Sequence, residues 1–380
     1  MQDWADDRVE GAGGMLAESF SGAGDAFAAN FADGLELGAS FAVVIDDKVV
    51  VDIRGGFVDR AKTEHWNDDT LACLYSSGKA VVSLLIAREV SKGALDYDAP
   101  VAQYWPEFGA AGKGDITLAQ MLSHQAGLCG FADEMPPETW LDWNAVTEKL
   151  AAMAPLWPPG SANGYHPQTF GYMAGEVLRR VTGKSVGALI AELAAQDGLN
   201  LYCGMWPELA ARASFMPKPP KAPDLGPLND YKRYAFLKPW SAPARVSRED
   251  WMAAEIPASN MHADARSLAR IVHPLANGGK RNNEAYLDGG AIAAALKERI
   301  RGGDLVLPFH LSWSAGLMRN INRHFGPNEN AFGHAGFGGS CVVIDPENKL
   351  TAAYVMNKMS YYLVGDPRAV RLLDAVYAAL

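Results

Sequence analysis

Ser76-Ser77-Gly78-Lys79 runs directly into Ala80-Val81-Val82-Ser83-Leu84-Leu85-Ile86-Ala87. The second stretch is apolar nearly all round, which is how a helix enclosed inside a domain reads; the helix is expected over 77–91. Residues three apart share a helix face, with Cβ atoms about 5–6 Å apart, so the Lys79 amine reaches back to the Ser76 hydroxyl. An amine at the head of an enclosed helix is desolvated, and desolvation disfavours the ammonium. Ser76 is therefore a candidate nucleophile with its own base. Most serine–lysine pairs at this spacing sit on solvated faces; the apolar run behind this one sets it apart.

Working outward, two strand-like segments precede this helix, Ser40 to Ile45 and Val49 to Arg54, with Asp46-Asp47-Lys48 as the turn. Residues 15–33 carry a helix-like, alanine-rich pattern. Near the other end, Trp313 to Met318, Ala331 to His334, Ser340 to Ile344 and Leu350 to Met356 read as antiparallel strands, and a helix over 367–380 closes the chain. Between these groups lie helical stretches at 117–125, 144–153, 171–181, 185–196, 265–276 and 289–299. A proline- and lysine-rich passage from Met216 to Pro243 reads as an irregular surface excursion. The expected fold is α/β plus all-α, an antiparallel sheet flanked by helices and built from both chain ends, with a helical domain inserted. The expected division is 1–75 with 306–380 as the sheet domain and 76–305 as the helical one, with a ligand cleft between them.

The bulk properties narrow the partners. The chain has 380 residues, 49% of them hydrophobic and 21% charged, as in ordinary globular proteins. A net charge of −10 argues against nucleic acid, which demands a basic face. The acidic start, Met1-Gln2-Asp3-Trp4-Ala5-Asp6-Asp7, lacks the basic and apolar segments of a secretory leader. No apolar run approaches the roughly 20 residues of a membrane span. A cytoplasmic protein without membrane partners is expected. Cys73, Cys129, Cys203 and Cys341 are scattered, with no metal-binding or disulfide spacing. No metal or organic cofactor is implied.

Two further segments complete a constellation. Trp157-Pro158-Pro159-Gly160-Ser161-Ala162-Asn163-Gly164-Tyr165-His166-Pro167 places Tyr165 in a loop ahead of a helix starting near Phe170. Its phenol could simply pack; facing Ser76 and Lys79, it would be a proton carrier whose phenolate the lysine cation stabilises. Phe332-Gly333-His334-Ala335-Gly336-Phe337-Gly338-Gly339-Ser340 surrounds one histidine with small residues at a strand edge. There a substrate could approach the backbone, and backbone N–H groups could form an oxyanion hole.

The order Ser-x-x-Lys, Tyr, His-x-Gly resembles the serine β-lactamase and penicillin-binding-protein superfamily, above all its class C-like esterase branch, the family VIII carboxylesterases. The likeness covers nearly the whole chain. It includes Ile116-Thr117-Leu118-Ala119-Gln120-Met121-Leu122-Ser123-His124-Gln125-Ala126-Gly127-Leu128, Gly183-Lys184-Ser185 and Met261 to Ala269. The resemblance implies a β-lactamase-like fold, with Ser76 acylated and Lys79 and Tyr165 sharing its proton. It also implies an oxyanion hole from the backbone N–H groups of Ser76 and Phe337, with His334 and Gly336 at the substrate. Trp157 and Phe337 are the aromatic residues placed by proximity to line the acyl pocket, with packing as the first reading of Trp157. His124 and Asp264 are expected to be structural.

Two positions depart from the lactamase pattern. Pro167 stands where asparagine would bind an acylamide arm, and His334 replaces the permanently charged lysine that would bind a carboxylate. Uncharged, short-chain carboxylic esters are the expected substrates. A penicillin-binding protein, a weak β-lactamase and an acyltransferase are the alternatives. A G-x-S-x-G match at Gly183-Lys184-Ser185-Val186-Gly187 lacks the preceding strand that this motif requires, so Gly183 reads as a helix stop and Ser185 as the next N-cap.

Overall fold

Period-two burial organises the molecule, described over residues 1–380 by a computed structural model. Phe41 and Val43 face one core, and Ala42 and Val44 face another. Val343 and Tyr354 repeat the first direction, Val342, Ile344 and Val355 the second. Strands buried on both faces have no polar side, as Ser40 to Ile45 and Leu350 to Met356 suggest in sequence.

These strands lie at the centre of a ten-stranded sheet in which every neighbouring pair is antiparallel. From edge to edge the strands are Gln2–Asp3, Gly13–Leu16, Lys48–Gly56, Gly38–Ile45, Leu350–Met356, Cys341–Asp345, Phe332–Ala335, Met318–Arg319, His310–Trp313 and Ile300–Gly303. The chain's two ends meet at the centre, where Ala42 pairs with Ala353. The helices Ser21–Ala32 and Pro367–Tyr377 share the core on one face. The helix Ala265–Val272 packs on the other, joining the larger core that surrounds Lys79–Ser91. The chain thus forms a large antiparallel sheet with helices on both faces, the arrangement that the resemblance implies.

Several expected boundaries move, each for a local reason. Residues 15–33 are not one helix: Gly13–Leu16 is a strand against Lys48–Gly56, and the helix begins only at Ser21. Trp313 to Met318 is not one strand: Gly316, at φ 87°, turns the chain between two strands that pair Trp313 with Met318. The 117–125 helix is the short Leu118–Leu122, opened by a Thr117–Gln120 capping box and stopped by His124 at φ 64°. Pro274 ends the 265–276 helix at Val272, with a 3-10 turn after it. The last two helices are also shorter than expected, Gly289–Leu296 and Pro367–Tyr377. Ile300–Gly303 pairs into the sheet, ahead of the boundary expected at residue 306.

The hairpin after Ile45 is tight because Asp46 and Asp47 both take positive φ, as two-residue hairpin loops require. No helix is long and apolar enough to cross a membrane.

Candidate active site

A three-stranded sheet, Ala72–Cys73 with His262–Ala263 and Leu201–Tyr202, delivers the chain to Ser76. The Leu74 N–H donates to Met261 O at 2.8 Å, and a 3-10 turn over Tyr75–Gly78 follows. Tyr75 is held at φ 45°, a conformation that L side chains rarely adopt. Ser76 rides on this forced turn, and Lys79 is the first residue of the helix behind it.

Lys79 is completely buried. Its Nζ lies 2.8 Å from Ser76 Oγ, 2.9 Å from Pro167 O and 3.1 Å from Ala258 O. No carboxylate is among these neighbours, and burial holds the amine well below the usual lysine range. Tyr165 Oη donates to Ser76 Oγ at 2.6 Å, and burial pushes that phenol above the usual tyrosine range. Burial thus favours the neutral form of both the amine and the phenol. Disfavouring the ammonium agrees with the sequence reading of Lys79, while burial also disfavours the phenolate that a lysine cation would have stabilised.

Tyr165 is fixed from four directions. Its backbone N–H donates to Asp304 Oδ1 at 2.9 Å, and Trp313 stacks on its ring at 5.9 Å between centroids. His124 Nδ1 accepts from the His166 backbone N–H at 3.1 Å, and the His124 ring meets the Tyr165 ring edge-on. His166 Nε2 accepts from the Leu128 N–H at 2.9 Å, tying the tyrosine loop to the loop after Leu118–Leu122. Burial keeps both imidazoles neutral, His166 pushed down to about 3. Asp264 caps the helix Ala265–Val272 by accepting from the Ser267 N–H at 2.6 Å.

The His334 segment is pinned to the serine turn. Ser340 Oγ donates to Leu74 O at 2.7 Å, and Ser77 Oγ lies 3.0 Å from Ser340 Oγ. A Cβ on Gly336 would sit 2.2 Å from Leu74 O, so only glycine permits this approach. From behind, the buried Arg368 donates to Gly338 O at 2.9 Å and to both oxygens of Asp366. The backbone N–H groups of Ser76 and Phe337 donate to no protein acceptor. His334 is buried, its pKa pushed down to about 3 by desolvation, so it is uncharged. Its Nδ1 lies 2.9 Å from Ala335 O, and its Nε2 has no partner.

Ser76, Tyr165, His334 and Phe337 all line one cavity of about 800 Å³, in which 18 of 29 lining residues are hydrophobic. Two expected contacts are absent from that lining. Trp157 is turned away: its Nε1–H donates to Ala162 O at 3.2 Å, and its ring packs on Tyr231 and His166. Gly336 lies against Leu74 O and Ser340 Oγ instead.

The largest surprise is the passage after Met216, expected as a surface excursion. Met216, Pro219, Pro223, Leu225, Phe236 and Pro243 are cavity wall. Low periodicity hid them, because an irregular wall needs no repeating pattern. Asp304 was also missed, its signal no more than one carboxylate after Gly302-Gly303. Pro167 O and Ala258 O act through backbone atoms and leave no trace in residue type.

No cluster of three or more His, Cys, Asp or Glu side chains is arranged to hold a metal ion. The sequence model of the family described as beta-lactamase matches residues 27–376. The chain belongs to the beta-lactamase family. Among curated relatives of this beta-lactamase-family chain is the esterase/beta-lactamase LipL of Mycobacterium tuberculosis. It is 32% identical over 359 residues, covering 89% of this chain and 81% of that protein. A penicillin-binding-protein homologue from Caulobacter crescentus superposes with a TM-score of 0.95 at 48% identity, over 97% of this chain and 100% of that one. The structure of a family VIII carboxylesterase superposes at 0.90 with 39% identity, over 97% and 100% of the two chains.

Proposed function

We propose that this chain is a serine carboxylesterase that cleaves esters uncharged beside the scissile bond through an acyl group on Ser76. The observation that carries the proposal is the pairing of Ser76 Oγ with Lys79 Nζ at 2.8 Å and Tyr165 Oη at 2.6 Å, at the wall of a mainly apolar cavity. The esterase names of LipL and of the family VIII structure support a hydrolase of this fold.

The proton path follows from valence. A neutral amine has two N–H bonds and one lone pair. Pro167 O and Ala258 O take the two N–H bonds, which leaves the lone pair for the Ser76 proton. Ser76 Oγ attacks the ester carbonyl as its proton passes to Lys79. The oxyanion meets the free N–H groups of Ser76 and Phe337; losing one such donor costs about 3 kcal/mol of transition-state stabilisation. Tyr165 gives its proton to the departing alkoxide, and the resulting phenolate faces the new lysine cation. Water then loses a proton to that phenolate and attacks the acyl group, while Lys79 returns its proton to Ser76. Every group ends as it began.

Substrate choice rests on absent charge. His334 is neutral and Pro167 carries no amide, so neither the carboxylate nor the acylamide arm of a penicillin finds its usual partner. The relative named both esterase and beta-lactamase makes β-lactams the comparison to run. The deciding experiment pairs p-nitrophenyl ester turnover and chromogenic penicillin turnover with fluorophosphonate labelling mapped by mass spectrometry. Ester turnover with the label on Ser76 is expected. A label elsewhere, or penicillin cleaved faster than every ester, would discard the proposal.

A further inference from the structure

Lys218-Pro219-Pro220-Lys221 lies in the passage whose proline and lysine content stood out in the sequence, and the proposed proton chemistry leaves it unused. All four residues line the catalytic cavity. Prolines fix φ and carry no N–H, so this wall is stiff and cannot pair into a sheet. Lys218 and Lys221 are the only charged side chains among the lining residues; the other titratable ones, Tyr75, Tyr165 and His334, are neutral.

That is a marked local reversal in a chain with net charge −10. Neither lysine has an anionic partner: the lysines in ion pairs are Lys92, Lys184 and Lys349. Lys221 Nζ instead sits 3.8 Å from the centre of the Tyr361 ring. Tyr361 lies between Met359 and Leu363, both of which line the cavity, so this contact spans two stretches of its wall. Both lysines are exposed, whereas Ser76 Oγ meets the fully buried Lys79. The cavity is therefore uncharged where bonds break and cationic at its solvent side. A volume near 800 Å³ lies high in the range of about 300–1,000 Å³ typical of small-molecule sites, more than a short acyl group fills.

Building on the esterase proposal, we propose that the acyl group of the substrate is long and amphiphilic, in place of the short, wholly uncharged one expected from the sequence. Its carbonyl lies at Ser76, its chain fills the apolar cavity, and its far end carries a carboxylate or phosphate that meets Lys218 and Lys221. These exposed cations act through water. A charge pair at 4 Å there changes binding roughly fivefold, and salt at 0.1 M screens beyond about 10 Å.

The test uses p-nitrophenyl esters in matched sets of increasing chain length, ending in methyl, carboxylate or phosphate. The readout is the ratio of kcat/KM for each anionic ester to its methyl counterpart. The ratio should start near one for the shortest pair and rise to about tenfold at low salt once the chain spans the cavity, then collapse at high salt. The larger of the two plateau ratios names the preferred headgroup. Lys218→Gln with Lys221→Gln should return the ratio to about one, and Lys218→Glu with Lys221→Glu should carry it below one. Being a ratio on one enzyme, it is insensitive to any general loss of activity.

A wild-type ratio at or below one at every length overturns the inference, as does a preference that survives both salt and the double substitution. Failure of the esterase proposal looks different: no ester of any kind is turned over and Ser76 takes no fluorophosphonate.

Discussion

Lys79 has three oxygen neighbours and only two protons to give when neutral, and Tyr165 Oη donates to the same Ser76 oxygen, so the proposed reaction uses the three as one unit. Ser76→Ala, Lys79→Ala and Tyr165→Phe should each lower kcat by at least about 10³-fold, and the triple variant should be hardly slower than the worst single one. Initial rates on one neutral ester check this; additive losses would separate the three groups. The pH profile carries a second check. In the proposed proton path Lys79 is neutral, so activity should rise with pH through its depressed pKa. Tyr165 must keep its proton, so activity falls only above the usual tyrosine value of about 10. A plateau through neutrality is expected in kcat/KM against pH; an activity that first appears near the ordinary lysine pKa would refute the neutral amine. Ser185 supplies the contrast. Its Oγ accepts from the Ala188 N–H at 3.2 Å as an N-cap, so Ser185→Ala should cost about 1 kcal/mol of stability in a denaturant titration with turnover unchanged.

At the scale of elements, the geometry of the proposed reaction depends on how the Gly336–Ser340 loop meets the Tyr75–Gly78 turn. Gly336→Ala would drive a methyl group into Leu74 O, a backbone atom that cannot step aside. We expect about a 10²-fold loss in kcat, the scale of one misplaced oxyanion donor, with a lowered thermal midpoint. Full kcat with the alanine would detach this loop from catalysis. What the sequence makes legible here follows chemistry and periodicity. The Ser76–Lys79 pair, Tyr165 and the His334 strand stand out because residue type and spacing carry their chemistry. The helix Val186–Asp197 is readable from Gly183 and Ser185, which have local reasons to stop and start helices. Met318 was misassigned to the strand of Trp313 because both are apolar, and the Gly316 turn between them breaks no alternation. The cavity wall after Met216 was illegible for a related reason: it is defined by what it faces across space.

For the whole molecule, four buried cysteines, each unpaired, make reductant irrelevant to stability. Thermal midpoints with and without dithiothreitol should coincide; a drop on reduction would reveal a disulfide. The cavity lining carries no carboxylate, so the acidic excess of the chain lies outside it; raising ionic strength should leave neutral-ester turnover nearly flat, while any charged substrate feels the change.

The pairing of Ala42 with Ala353 also bears on the order in which the chain can fold. Contacts between distant stretches are slow to form, because a long loop must close before anything is gained. During synthesis the strand Gly38–Ile45 must wait for Leu350–Met356 to leave the ribosome, and the His334 strand is laid down almost as late. A nascent chain holding Ser76, Lys79 and Tyr165 therefore still lacks the central strand pair of its sheet until Leu350–Met356 emerges.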